Sequence, residues 1–387
     1  MAVDDRRRAA IVAAIHKARL QALVTFSPGE VLLLSGYCPV MGASLAIVTG
    51  EGELYLILPE DEVELAQVTS DATLIAYQPN SLHRLNKTSE ALRAPVAELS
   101  RQLHLIRGEI GTSSDDSLEA NSYQSTNHFR RSIWPLLTRA FPECGVAPAD
   151  LIIDQLKAVK TPIEIAQIRH ASILAREAFR HAVPLIAPGR REDEVAAEIE
   201  SIFSRVAHSG FERGRGYFFC MSGPNSAKAA GAYARTRRRV IEEGDTVMIH
   251  ANTVGDGYWT DITRTFVAGE PDPRQQQMKA AIEEARAAAL AAIAPGARAS
   301  AVDEAARDIL NHCGFGTLFK HATGHGVGFA ACNPNARPRI HPLSPDVLEA
   351  GMTFNIEPAI YLDGIGGMRR CDVVACTASG AEVLTDF

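Results

Sequence analysis

351-GMTFNIEPAIYLDGIGGMRRCDVVACT-377 decides how this chain is read. Two apolar, strand-like runs flank a Gly-rich turn, and each carries one chemically active residue. Glu357 precedes Pro358 in the first run, and Cys371 sits in the second. A carboxylate inside an apolar strand is costly unless it has a partner or a task. The spacing from Glu357 to Cys371 is even, so a hairpin places both side chains on one face.

Two upstream stretches carry residues of the same kind. In 249-IHANTVGDGYWTDITRTF-266, a turn at 255–257 separates two alternating runs holding His250 and Asp261, and such a hairpin sets both on one face. In 321-HATGHGVGF-329, His325 lies between Gly324 and Gly326, where missing side chains let other groups approach closely. His321 precedes it by four residues, and 335-NARPRIHP-342 places Arg337, Arg339 and His341 in a polar loop near the expected cleft mouth. Candidate ligands or catalytic groups are therefore His250, Asp261, His325, Glu357 and Cys371. His321 and Arg337 are candidate substrate contacts.

Outward from these stretches, the chain reads as an α+β protein of two domains, 1–149 and 150–387. A length of 387 residues favours more than one core. The first domain shows strands at QALVTFS, ATLIAYQ and GEIGTSS, a hairpin about Glu51-Gly52, and helices at 5–20, 85–103 and 119–141. The second opens a helix at Thr161-Pro162, with Glu164 three residues on as a capping signal. Another helix follows Pro188-Gly189, then strands at 216–223, 245–253 and 258–269. Helices at 273–293 and 300–313 precede strand runs at 352–362, 367–377 and 381–387. Each half of this domain opens with two helices and closes with strands carrying candidate ligands, a weak internal echo.

Composition excludes several classes. Hydrophobic residues are 46% and charged residues 22%, as in ordinary globular proteins, and the net charge of -7 argues against nucleic acid as the main partner. The polar N-terminus predicts no signal peptide, and no apolar run reaches bilayer-spanning length. Seven scattered cysteines without a CxxC pair predict a reduced, cytoplasmic protein without disulfides.

GYWTDITRTFVAGEP, GHGVG, GMTFNIEPAIY and GGMRRCDVV together resemble the creatinase, prolidase and aminopeptidase P superfamily, the M24 or pita-bread fold. The resemblance spans nearly the whole chain: a small α/β creatinase-like N-terminal domain, then the catalytic domain. In metal-dependent members, two Asp, one His and two Glu hold two divalent ions that activate a water for amide hydrolysis. Matched residue by residue, Asp261, His325 and Glu357 are kept. His250 stands for the first Asp and Cys371 for the final Glu. Tyr233 stands where a substrate-facing His is usual, Cys332-Asn333 replaces a His-Glu pair, and Arg369 matches the Arg before the last ligand. Tyr233 and Arg369 thus join the substrate-side candidates.

Imidazole and thiolate suit zinc or iron better than manganese, so Asp261, His325, Glu357 and Cys371 are expected to hold one tetrahedral divalent transition-metal ion, with His250 as a fifth ligand or the holder of a weak second ion. The resemblance implies an Xaa-Pro peptidase-like hydrolase of C–N bonds, acting as a homodimer on a small peptide or amide-like substrate. His325, Glu357 and His250 are its expected catalytic groups. Two alternatives stay open: a metal-free hydrolase of a small nitrogenous metabolite, as in creatinase or ectoine hydrolases, and a non-catalytic binding module. Cys371 is also open as a nucleophile, and the remaining cysteines read as core.

Overall fold

The computed structural model describes residues 3–387 except 41, 80–82, 84–86, 106, 115–129, 209, 233, 234 and 331. It divides into two compact units, Met1–Lys157 and Ala158–Phe387.

In the first unit, the described strands are β1 (Leu20–Thr25), β2 (Leu45–Thr49), β3 (Leu54–Pro59), β4 (Thr73–Tyr77), β5 (Glu109–Thr112) and β6 (Gly145–Pro148). They form one six-stranded mixed sheet in the order β4-β3-β2-β1-β5-β6. The expected hairpin about Glu51-Gly52 joins β2 to β3, and Gly52 supplies the positive φ of 86° that its turn requires. Ile47, Ile57 and Ile110 pack from the sheet against Leu99 and Leu137 from flanking helices. The C-terminal part of the helix expected at 119–141 is Arg130–Ala140; most of the rest lies outside the described residues.

The second unit contains β7 (Gly214–Ser222), β8 (Thr246–Gly255), β9 (Tyr258–Val267), β10 (Thr353–Ile356), β11 (Ala359–Leu362), β12 (Gly366–Arg369), β13 (Asp372–Thr377) and β14 (Gly380–Val383). Strands β7, β8 and β9 make one antiparallel sheet. Helices Pro162–Ala182 and Glu192–Ala207 pack against it through Phe179, Phe203, Phe218, Ile249 and Ile262. Helices Pro273–Ala291 and Ala299–His312 share a second core with Met278, Phe354, Tyr361 and Met368. Two helix pairs, each with its own core, give the internal echo a structural form. The Thr161 capping box forms: Thr161 Oγ1 accepts from the Glu164 amide at 3.4 Å, and Glu164 Oε2 from the Thr161 amide at 2.8 Å.

The structure departs from the sequence reading at the runs 352–362 and 367–377, each expected as a single strand. Both are broken. Pro358 lacks an N–H and cannot continue a ladder, so β10 ends at Ile356 and β11 starts at Ala359. The partner run breaks between Arg369 and Asp372. β10 pairs with β13 and β11 with β12 in one continuous register, which leaves Glu357 opposite Cys371 in the gap. There Cys371 bonds to β9 instead: its amide donates to Thr263 O at 3.1 Å, and the Thr263 amide donates to Cys371 O at 3.3 Å. The two ladders therefore meet where the active side chains lie.

Two buried aspartates fix this junction. Asp372 accepts from Arg264 at 2.6 Å and from Arg370 at 3.2 Å, and Arg286 also donates to it. Burial opposes its charge, but these arginines hold its carboxyl below the usual range. Asp303, in the first half of helix Ala299–His312, accepts from the amide and hydroxyl of Thr323 at 2.9 and 2.8 Å, anchoring the segment that carries His325.

Candidate active site

The β8–β9 turn uses positive φ at Asp256 (47°) and Gly257 (96°), the geometry of a tight hairpin. Its register opposes Asn252 to Asp261 and His250 to Thr263. All four side chains therefore share one face, and all are buried.

His250 is fully committed. Its Nδ1 lies 2.9 Å from Thr263 Oγ1 and 3.1 Å from Arg369 Nη2, and its Nε2 lies 3.2 Å from Asn252 Oδ1. A guanidinium only donates, so Nδ1 accepts, and Nε2–H donates to Asn252. Burial pushes the imidazole down to about 4, with Arg369 reinforcing the shift and Asp261 opposing it. The ring is neutral at physiological pH.

Asp261 and His325 face each other, with Oδ2 3.5 Å from Nε2. Burial works against the Asp261 charge, yet His325, His250 and Arg369 hold the carboxyl down at about 2. Burial also opposes charge on His325, but Asp261 and Cys332 outweigh it and raise the imidazole. The flanking glycines are obligatory. A Cβ on Gly324 would stand 1.9 Å from Asn355 O, and one on Gly326 would stand 2.1 Å from Arg337 O. His325 Nδ1 points at Gly326 O, 3.1 Å away, which leaves Nε2 facing Asp261. Asn355 ties the pair: its Oδ1 accepts from the His325 amide at 2.6 Å, and its Nδ2 donates to Asp261 Oδ2 at 3.3 Å.

Glu357, at the strand break, retains slight exposure. Burial pushes its carboxyl up to about 7, Arg369 opposing. Arg369 Nη1 is 3.9 Å from Glu357 Oε2 and 3.4 Å from Tyr361 OH, while Nε donates to Thr263 Oγ1 at 3.1 Å. His321 Nε2 lies 2.9 Å from Tyr361 OH, and its Nδ1 2.8 Å from Ala322 O. Arg369 and His321, read as substrate contacts, thus belong to one internal network. Arg337 Nε donates to Asp346 Oδ1 at 2.9 Å. Tyr233 lies outside the described residues.

Cys371 is fully buried; its thiol donates to Asp261 O at 3.2 Å and lies 3.7 Å from Asp261 Oδ1. Burial, then the Asp261 and Glu357 carboxylates, push that thiol up, the reverse of what an activated nucleophile needs. The metal-capable group that gathers among the described residues is Asp261, His325 and Cys332, with one donor atom from each within 4.8 Å of the others. Sequence reasoning placed Cys332 only as the replacement for a His in a His-Glu pair and read it as core, and it gave Asn355, Thr263 and Tyr361 no role in the site. Asn355 and Thr263 were legible as the same-face neighbours, two residues away, of Glu357 and Asp261. Cys332 had no strand pattern to mark it.

Residues 166–378 match the model of metallopeptidase family M24. The chain is 30% identical over 382 residues to the Xaa-Pro dipeptidase of Pyrococcus furiosus, covering 95% of this chain and 98% of that protein. It is 36% identical over 240 residues to the probable dipeptidase PepE of Mycobacterium tuberculosis, covering 61% of each. The solved prolidase from Pyrococcus furiosus superposes with a TM-score of 0.74 at 29% identity, covering 97% of this chain and 99% of that one. The prolidase from Pyrococcus horikoshii OT3 gives 0.78 at 27%, covering 99% and 98%. The chain belongs to metallopeptidase family M24 and is a hydrolase of the pita-bread fold. No helix among the described residues is long and apolar enough to cross a membrane.

Family M24 peptidases depend on divalent metal. The residues present could take one ion: a carboxylate oxygen of Asp261 and an imidazole nitrogen of His325 face each other across 3.5 Å, both donor types that bind divalent metals. A second ion in the half toward His250 does not fit. The Arg369 guanidinium stands against His250 Nδ1, and Cys371 supplies a hydrogen-bonded thiol where a carboxylate would be needed.

Proposed function

We propose that this protein is a dipeptidase that cleaves the C–N bond before proline, using one divalent ion held at Asp261 and His325. The buried Asp261–His325 pair, with a Glu357 carboxyl pushed up to about 7 beside it, carries this reading. The Xaa-Pro dipeptidase names of its full-length relatives supply the substrate class.

Asp261 and His325 would hold the ion, which would supply polarisation of the substrate carbonyl and a water made nucleophilic near neutral pH. Glu357 takes the proton of the attacking water and returns it to the departing proline nitrogen, a task suited to a carboxyl titrating near 7. Arg369 balances the Glu357 charge and holds Tyr361 through its hydroxyl. Neutral His250 positions Arg369 by accepting its Nη2–H. In this reading His250 and Cys371 support the site rather than ligate. We assign the catalytic role to residues 150–387, in a cytoplasmic homodimer.

One observation favours a metal-free reading: Asp261 and His325 also satisfy each other as an ion pair. A substrate panel separates the two. The protein, supplemented with zinc, cobalt or manganese, is assayed on Ala-Pro, Ala-Ala, Ala-Pro-Ala and a small ureido acid. Cleavage of Ala-Pro above the others, abolished by a chelator, is expected. Turnover of the ureido acid alone, untouched by the chelator, would replace this reading with the metal-free one.

A further inference from the structure

We propose that Cys332 is the third protein ligand, making the site an Asp–His–thiolate centre for one ion of the zinc class. The proposal rests on the reading above that an ion is held at Asp261 and His325; it adds which residue completes the set and hence which ion is preferred.

The geometry converges on one point. His325 Nε2 lies 3.5 Å from Asp261 Oδ2 and 3.8 Å from Cys332 Sγ, and the three donors fall within 4.8 Å of each other. A tetrahedral ion with bonds of about 2.0–2.3 Å has ligand–ligand edges of roughly 3.3–3.7 Å. The His325–Asp261 separation falls inside this range and the His325–Cys332 separation just above it, while the Asp261–Cys332 edge, within 4.8 Å, closes on binding. Three protein ligands with a fourth position left open is the pattern of a catalytic rather than a structural site.

The supporting contacts are those a metal ligand needs. His325 presents Nε2 because Nδ1 is turned to Gly326 O at 3.1 Å, the backbone partner that fixes a ligating imidazole. Asp261 is oriented by Asn355 Nδ2 at 3.3 Å. The loop bearing Cys332 is tied to the same segment: the Gly326 amide donates to Ala336 O and the Ala336 amide to Asn333 O, each at 2.9 Å. Its far end is anchored by Arg337 and Arg339, which both donate to the buried Asp346. Cys332 is thus held against His325 by backbone bonds on the loop, while it keeps partial exposure through which an ion can enter.

Cys371 is the rival thiol, and its surroundings argue against it. It is fully buried, its proton is engaged by Asp261 O at 3.2 Å, and Arg369 with His250 occupies that half of the site. Charge gives the same division. An Asp261 carboxylate and a Cys332 thiolate neutralise one dication, and Arg369 balances Glu357. A thiolate and an imidazole in the set favour zinc and cobalt over manganese and magnesium.

Cobalt(II) tests this directly. Apo-protein is titrated with cobalt and read in the near-ultraviolet, where a thiolate bonded to cobalt gives a charge-transfer band. The band is expected to saturate at one equivalent, to vanish in Cys332→Ser and Cys332→Ala, and to persist in Cys371→Ser. Zinc affinity of Cys332→Ser is expected to fall at least about a hundredfold, beyond the 10–100-fold typical of losing a supporting residue. Thermal unfolding of the apo variants reports whether each is folded. Cobalt uptake without the band, or a band lost in folded Cys371→Ser and kept in Cys332→Ser, would overturn the assignment. In either case Ala-Pro cleavage could still stand, so the two readings fail separately. No cobalt uptake by folded wild type would overturn both.

Discussion

Glu357→Gln is expected to lower kcat on an Xaa-Pro dipeptide by about 10²–10⁴-fold, the range for losing a positioned acid–base group. Metal content should stay at the wild-type level. Glu357 stands at the break between β10 and β11, outside the three-donor group, and its carboxyl is pushed up to about 7 by burial. Glutamine keeps the shape and loses the proton transfer. KM should change little, because substrate binding does not depend on that proton. The check is steady-state kinetics with metal analysis of the same sample. A variant that loses its metal along with its activity would make Glu357 a ligand instead of a base.

Asp261→Asn is expected to have the larger effect. The amide is nearly the same shape but carries no charge to offset a dication. Metal content should fall to background, and kcat/KM should drop at least about a thousandfold, roughly 4 kcal/mol of transition-state stabilisation. The fold should survive, since residue 261 stays in the β8–β9 ladder opposite Asn252 and its backbone carbonyl still accepts from Cys371. The measurement is elemental analysis beside kcat/KM. Full activity in a metal-free Asp261→Asn protein would remove the ion from the mechanism.

Much of this was legible before any coordinates. The His250–Asp261 hairpin follows from alternation around a Gly-Asp-Gly turn, and its register places both side chains on one face. The glycines about His325 announced a close backbone approach, and the contacts a Cβ would make bear that out. The strand breaks at Pro358 and after Arg369 were less legible, because apolar continuity hides a ladder that changes partners. Sequence left Arg369 and His321 open between substrate contact and internal pairing. The fold adds their internal partners, which are Thr263, His250, Tyr361 and Ala322. Cys332 was hardest. It lies on an irregular loop without periodicity, and its nearness to His325 depends on the backbone bonds from Gly326 to Ala336.

The most direct test of the account is a metal titration of apo-protein followed by both bound ion per chain and Ala-Pro hydrolysis. Activity is expected to rise in step with occupancy, to reach its plateau at one ion per chain, and to gain nothing from a second equivalent. Undiminished hydrolysis by protein holding no metal, or activity that appears only with a second ion, would contradict it.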